Sequence, residues 1–197
     1  MLVVVKPGGL LSVPGRGADK ADCLVSRVQA DFPDALIVHR LDMETSGLIV
    51  LARNAVAHRR LSVMFQEREV HKRYLAVVDG LLASDEGSLH YPLIADWPNR
   101  PLQKVDFDTG KPSTTHYRVI ARDGDALVTR VELTPVTGRT HQLRVHMLTL
   151  GHPILGDPLY GTPDTHKAGR LLLHASSLEL KHPDSGLPLS FASEPPF

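Results

Sequence analysis

His39-Arg40-Leu41-Asp42-Met43-Glu44-Thr45-Ser46-Gly47-Leu48-Ile49-Val50-Leu51-Ala52 is the stretch from which the fold can be worked out. Its first half is charged and closes on Thr-Ser-Gly, whereas its second half is a nearly unbroken aliphatic run. A short run without polar alternation predicts a strand buried on both faces. The loop ahead of it therefore mounts a carboxylate on the end of a rigid core element. Arg40 and Asp42 could equally be a surface ion pair, with Thr45 and Ser46 as turn formers, if only the bare Arg-x-Asp were considered.

Upstream, Leu2 to Val5 predicts a strand halted by Lys6-Pro7-Gly8-Gly9, and Pro14-Gly15 marks a further turn. Leu24, Val25 and Val28 recur at helical spacing between Ala21 and Asp31, and Pro33 ends the pattern. Downstream, Asn54 is placed to cap a helix whose apolar stripe is Ala57, Leu61, Met64 and Phe65, leaving Arg59, Arg60 and Arg68 toward solvent. Tyr74–Val78, Tyr117–Ala121 and Leu127–Leu133 predict strands, the last two around the turn Asp123-Gly124-Asp125. A helix is expected from Thr140, as cap, to Leu150, with Gly151 ending it. Leu171–Leu180 and Leu187–Phe191 flank Pro183-Asp184-Ser185-Gly186 and predict a closing hairpin. Locally paired strands with a few helices give an α+β fold, a mixed and mostly antiparallel sheet flanked by helices and loops.

The 197 residues suit a single catalytic domain with no appended module. No segment has the makeup of a signal peptide or approaches the ~20 apolar residues of a membrane span, so a cytoplasmic protein is expected. One cysteine, Cys23, leaves no intramolecular disulfide and no cysteine-based zinc site, and its plain reading is a small buried hydrophobe. Lys and Arg number 22 against 22 Asp and Glu, so there is no overall basic excess. The basic residues are nonetheless clustered: Arg53, Arg59, Arg60, Arg68, Lys72 and Arg73 fall close together, and Arg139 to His146 contains no acid. Such local faces can attract phosphate on a neutral protein, although most are solvated surface. His141 and His146 are five apart, off a common helical face, and no His-Glu-x-x-His string exists, so no metal is expected. Ser46-Gly47 lacks the Gly-x-Ser-x-Gly elbow of a serine hydrolase.

The full string His-Arg-Leu-Asp followed by Thr-Ser-Gly-Leu resembles the signature of the RluA family of pseudouridine synthases. The resemblance covers the chain. Lys6-Pro7 with Gly9-Leu10, Lys72-Arg73-Tyr74, Gly138-Arg139-Thr140-His141-Gln142-Leu143-Arg144, Gly151–Asp157 and Leu172-Leu173-His174-Ala175 all match family segments in order. Without an S4-like domain, and with Asp96-Trp97-Pro98-Asn99-Arg100-Pro101 and Thr109-Gly110-Lys111-Pro112, the chain is most similar to the short RluA type. That type acts on large-subunit ribosomal RNA and on a tRNA anticodon loop. Family members carry a further strand-forming stretch before the Lys-Pro motif, whereas five residues precede Lys6 here. A truncated first strand, or a true start further upstream, is expected.

The resemblance implies the pseudouridine synthase catalytic fold and an isomerase of uridines in RNA. It also implies roles. Asp42 is the catalytic carboxylate, acting at the ribose C1′, at the uracil C6, or on a ribose proton. Arg144 is the arginine that keeps this carboxylate ionised, with Arg139 as second choice. A buried aspartate otherwise protonates. Arg40, with His39 beside it, belongs where the flipped base leaves a gap. Tyr74 lies against the uracil, as stacking surface or proton shuttle. Arg59, Arg60, Arg68 and Lys72 are expected to hold phosphates, and Leu155 and Leu173 to wall the pocket. Because the reaction is an isomerisation, no cofactor is expected, and a monomer without an obligate protein partner suffices. A non-catalytic RNA-binding or RNA-chaperone protein of the same fold would have lost Asp42. A metal-dependent phosphoesterase using Asp42 and histidines would be sensitive to chelators.

Overall fold

The computed structural model describes residues 1–15, 17, 21–162 and 168–197. The chain divides into two units, Met1–Lys72 with His174–Pro196, and Arg73–Leu173 with Phe197. The first holds β1 (Leu2–Lys6), α1 (Leu24–Asp31), β2 (Leu36–Ile37), β3 (Ser46–Ala52), α2 (Ala55–Gln66) and the hairpin of β10 (Leu173–Lys181) and β11 (Pro188–Ala192). The second holds nearly all of β4 (His71–Asp79), then β5 (Glu86–Leu89), β6 (Leu93–Ala95), β7 (Gln103–Val105), β8 (Thr115–Asp123), β9 (Val128–Pro135) and α3 (Gln142–Thr149).

In the first unit every residue of β3 is buried, as its aliphatic composition predicts. Antiparallel β1 flanks it from Leu2 opposite Leu51 to Lys6 opposite Gly47. β10 pairs with it in parallel, His174 opposite Ser46 and Ala175 opposite Gly47, which makes the pairing mixed. Helix α2 begins where expected, Asn54 Oδ1 accepting from the Ala57 amide at 2.8 Å. Ala57, Leu61 and Met64 of α2 meet Leu48, Val50, Leu178 and Leu180 in one core cluster. Arg68 is an exception to the expected stripe: it follows the end of α2 with φ at +62° instead of riding on its face. Cys23 is buried and free, at the N-cap of α1.

The second unit carries an antiparallel run of strands in the order β4-β9-β8-β5. β4 pairs with β9 from Tyr74 opposite Leu133, β9 with β8, and β8 with β5. The turn between β8 and β9 is held by Asp123, whose Oδ1 accepts from the amides of Asp125 and Ala126, both at 3.0 Å. Ala76, Val78, Val131, Leu133, Leu143, Met147, Leu171 and Leu173 form its core. Helix α3 starts at Gln142, not after a Thr140 cap, and His141 before it adopts φ of +53°. The reason lies in Gln142, which is 4% exposed: its Oε1 accepts from Thr137 Oγ1 and the Arg139 amide, and its Nε2 donates to Thr114 O and Thr115 Oγ1. Residues 137–141 are thereby bent into a turn tied to β8. The short strands β2, β5, β6 and β7 were not expected from the sequence; stretches of two to four residues bounded by Pro and Gly carry little periodicity.

Candidate active site

Asp42 sits in the loop that delivers the chain to β3, and both of its neighbours are clamped through their backbones. Ser12, 4% exposed, receives a hydrogen bond from the Leu41 amide at 3.1 Å and donates its hydroxyl to Leu41 O at 2.7 Å. On the other side Lys6 Nζ, wholly buried, donates to Met43 O at 2.8 Å and to Pro7 O and Leu10 O at 2.8 and 2.7 Å. A buried ammonium has to be solvated by carbonyls. Here that requirement ties the opening Lys-Pro turn to the Asp42 loop. The amide of Thr45 closes the loop on Asp42 O at 3.2 Å.

Beyond the loop, Ser46 Oγ lies 2.9 Å from His174 Nδ1, and His174 Nε2 lies 3.1 Å from Ser193 Oγ. Gly47 has φ of +116°, and a Cβ there would stand 2.5 Å from the Ala175 nitrogen. Glycine is therefore required at this position on two counts, conformation and close approach of β10. The Thr-Ser-Gly of the motif is the part that seats the loop against the next strand.

His39 is held between Phe65, stacked at 4.4 Å between ring centroids, and β3, where its Nε2 accepts from the Val50 amide at 3.0 Å. Burial, with the charge of Lys72 as a lesser cause, pushes its pKa down to about 3, so the ring is neutral at physiological pH. Lys72 Nζ lies 5.9 Å from the Phe65 ring, and burial lowers its own pKa. Because unfolded His39 binds a proton below about pH 6.5 and the folded ring does not, its contribution to stability is complete above pH 6.5 and is lost as the pH falls toward 3. Urea unfolding should therefore show wild type losing on the order of 3 kcal/mol more than His39→Gln between pH 7 and pH 4. Equal losses in both proteins would mean that His39 is readily protonated in the folded state.

Arg40 is exposed, and so is Arg59. Arg60 is engaged: its Nη1 donates to Pro183 O at 2.8 Å and Asp184 Oδ1 at 3.0 Å on the β10–β11 turn. Arg59 and Arg60 border a groove of about 670 Å³ whose walls include Val56, Val63, Lys181 and His182.

In the second unit Tyr74 stands on β4, partly buried against the core that contains Leu173. Arg144, 2% exposed, is the third residue of α3 and forms a two-pronged pair with Asp157: Nε to Oδ2 at 2.7 Å and Nη2 to Oδ1 at 2.6 Å. Its guanidinium carbon is 5.1 Å from the Tyr160 ring centroid. Asp157 Oδ1 also accepts from the amides of Leu159 and Tyr160, at 2.9 and 3.0 Å. Burial raises the Asp157 pKa, but the hydrogen bonds and charge of Arg144, with the two amides, outweigh it and hold the carboxyl below its usual value. Arg139 is exposed, with Nε 3.4 Å from Pro112 O. Leu155 is partly buried, its backbone joined to Val77 and Leu172. Asp157, Ser12 and the buried state of Lys6 were not anticipated from sequence, since each depends on a partner distant along the chain. Among the described residues no group of three or more His, Cys, Asp or Glu is placed to hold a metal ion.

A family model described as RNA pseudouridylate synthase matches residues 1–149. The chain is 56% identical over 198 aligned residues to the dual-specificity RNA pseudouridine synthase RluA of Yersinia pestis, covering all of this chain and 96% of that one. To the protein of the same name from Escherichia coli K12 it is 52% identical, covering all of this chain and 90% of that one. Among solved structures, human RNA Pseudouridylate Synthase Domain Containing 1 superposes with a TM-score of 0.78 at 29% identity, over 98% of this chain and 87% of that one. The fold is that of the pseudouridine synthases. The chain belongs to the RNA pseudouridylate synthase family, in its RluA branch.

Proposed function

We propose that this protein isomerises particular uridines to pseudouridine in structured RNA, in both a large-subunit ribosomal RNA and a tRNA anticodon stem-loop, with Asp42 as the catalytic carboxylate. The dual-specificity name of its relatives supports two classes of RNA. The observation that carries the reading is the double clamp on the Asp42 loop, Ser12 at Leu41 and Lys6 at Met43, inside the His-Arg-Leu-Asp string. A nucleophile or base must be held in one geometry to be effective.

In the reaction the bond from ribose C1′ to uracil N1 breaks, the base turns, C5 bonds to C1′, the C5 proton leaves and N1 gains one. No electrons are gained or lost overall. Tyr74 serves as the surface against the uracil, and Arg144 as the cation that keeps the catalytic carboxylate ionised. Arg40 occupies the gap that the flipped base leaves, which requires an exposed side chain able to stack and to meet phosphate. Arg59, Arg139 and Lys72 hold backbone phosphates, and Arg60 does so on leaving Asp184. His39 reaches RNA only as a neutral ring. The protein works as a cytoplasmic monomer without a metal or cofactor; no helix among the described residues is long and apolar enough to cross a membrane.

Pseudouridine mapping in ribosomal and transfer RNA, with and without this protein, tests the assignment. Sites that vanish in both RNA classes on its loss, and return on adding purified protein in chelator, are expected. Unchanged maps, or activity that chelation of a prefolded stem-loop reaction abolishes and zinc restores, would reject it.

A further inference from the structure

The ribbon of β6 and β7 is anchored by a small apolar cluster and backbone hydrogen bonds. Leu93 packs with Val145 and Tyr160, with Leu102 and Val105 against them. The Gln103 amide donates to the Tyr160 hydroxyl at 2.8 Å, and Leu93 exchanges both backbone hydrogen bonds with Lys111 at 2.9 and 2.8 Å. Its tip, the 3-10 turn Trp97–Asn99, is stiffened by Asn99 N to Asp96 O and Leu102 N to Asn99 O, both 3.0 Å, by Asn99 Nδ2 to Asp96 Oδ2 at 2.9 Å, and by the fixed φ of Pro98.

On this tip stands Trp97, the one tryptophan of the chain. It is 65% exposed although the Arg100 guanidinium carbon lies 3.2 Å from its ring centroid. Phe107, just past β7, is 75% exposed. Tryptophan is among the side chains that gain most from burial, and a fold that uses one packs it. Here Leu93, Leu102 and Val105 do the packing and the indole is turned outward. A broad aromatic face on a rigid turn, with a guanidinium already stacked on it, loses little conformational freedom when a flat ligand settles against it. Along residues 96–111, Arg100, Lys104 and Lys111 are offset by Asp96, Asp106 and Asp108, so this stretch carries no net charge with which to draw phosphate. Its chemistry is that of stacking.

We propose that Trp97, backed by Arg100, is a stacking platform for an unpaired base of the RNA substrate, a base other than the uridine that is isomerised. The inference rests on the assignment of a stem-loop RNA substrate above. Because Trp97 is the only tryptophan, its emission, excited at wavelengths that tyrosine does not absorb, reports on this site alone. Titrating the protein with an anticodon stem-loop should quench it at the same concentration at which filter retention shows binding. Trp97→Ala should weaken RNA affinity by about 5- to 150-fold. It should leave the salt dependence of binding unchanged, because no phosphate contact is lost, and turnover at saturating RNA within about two-fold of wild type. Trp97→Phe should restore most of the affinity. Wild-type affinity in Trp97→Ala, or fluorescence unmoved by RNA that is demonstrably bound, would overturn the platform while leaving the substrate assignment intact. If wild type neither retains nor converts the stem-loop, the substrate assignment falls and the platform with it.

Discussion

Asp42→Asn and Asp42→Ala should each lower the single-turnover rate by at least about 10³-fold while leaving a folded protein. The isomerisation needs a group that can act as nucleophile or base at the sugar or the ring, and an amide or a methyl can do neither. The fold should survive because the loop is fixed through the backbones of Leu41 and Met43, by Ser12 and Lys6, and both of these clamps remain in the variants. Thermal or urea unfolding separates the two outcomes. Turnover above about 1% of wild type in Asp42→Asn, with the unfolding midpoint unchanged, would remove Asp42 from the chemistry.

The parts of this picture that were legible in the sequence are those decided by neighbours along the chain. β3 was readable because Leu48 to Ala52, five consecutive aliphatic residues, leave no polar face. The α2 cap was readable because Asn54 precedes its stripe directly. The Asp42 position emerged from a string long enough to carry a family signature. What stayed hidden depends on long-range partners. Lys6 looks like a turn residue until its ammonium is found on Met43 O, 37 positions away. Gln142 looks like an ordinary helical residue, and only its bonds to Thr114 and Thr137 show why the helix begins there and not after Thr140. Arg60 reads as a solvent-facing cation until the β10–β11 turn brings Asp184 against it. At 52% and 56% exposure that pair is worth little and is readily exchanged for a phosphate.

Arg144 is different, because its partner is as deeply buried as it is, at 2% and 1% exposure. Removing one member of such a pair strands the other charge in a low dielectric, and about 3–5 kcal/mol of stability should go with it. Arg144→Gln leaves Asp157 facing an amide. Asp157→Asn leaves Arg144 doing so, while keeping an oxygen for the Leu159 and Tyr160 amides. The double variant leaves no charge within the pair and can replace it by an amide–amide hydrogen bond, so its loss should fall well short of the sum of the two single losses. The sign with pH follows from the depressed Asp157 pKa: the pair's contribution is present above the unfolded carboxyl's pKa and disappears as the pH drops through the folded one. Activity should not follow stability. If Arg144 supplies charge to the reaction, the double variant recovers its fold and remains at least about 10²-fold slower than wild type at neutral pH. Asp157→Asn, where it folds, should keep part of the rate because the guanidinium is still there, and should lose the rest through altered aim. A double variant that is both stable and near wild type in single turnover would reduce Arg144 to a structural ion, and would leave Asp42 to be kept ionised by some other group.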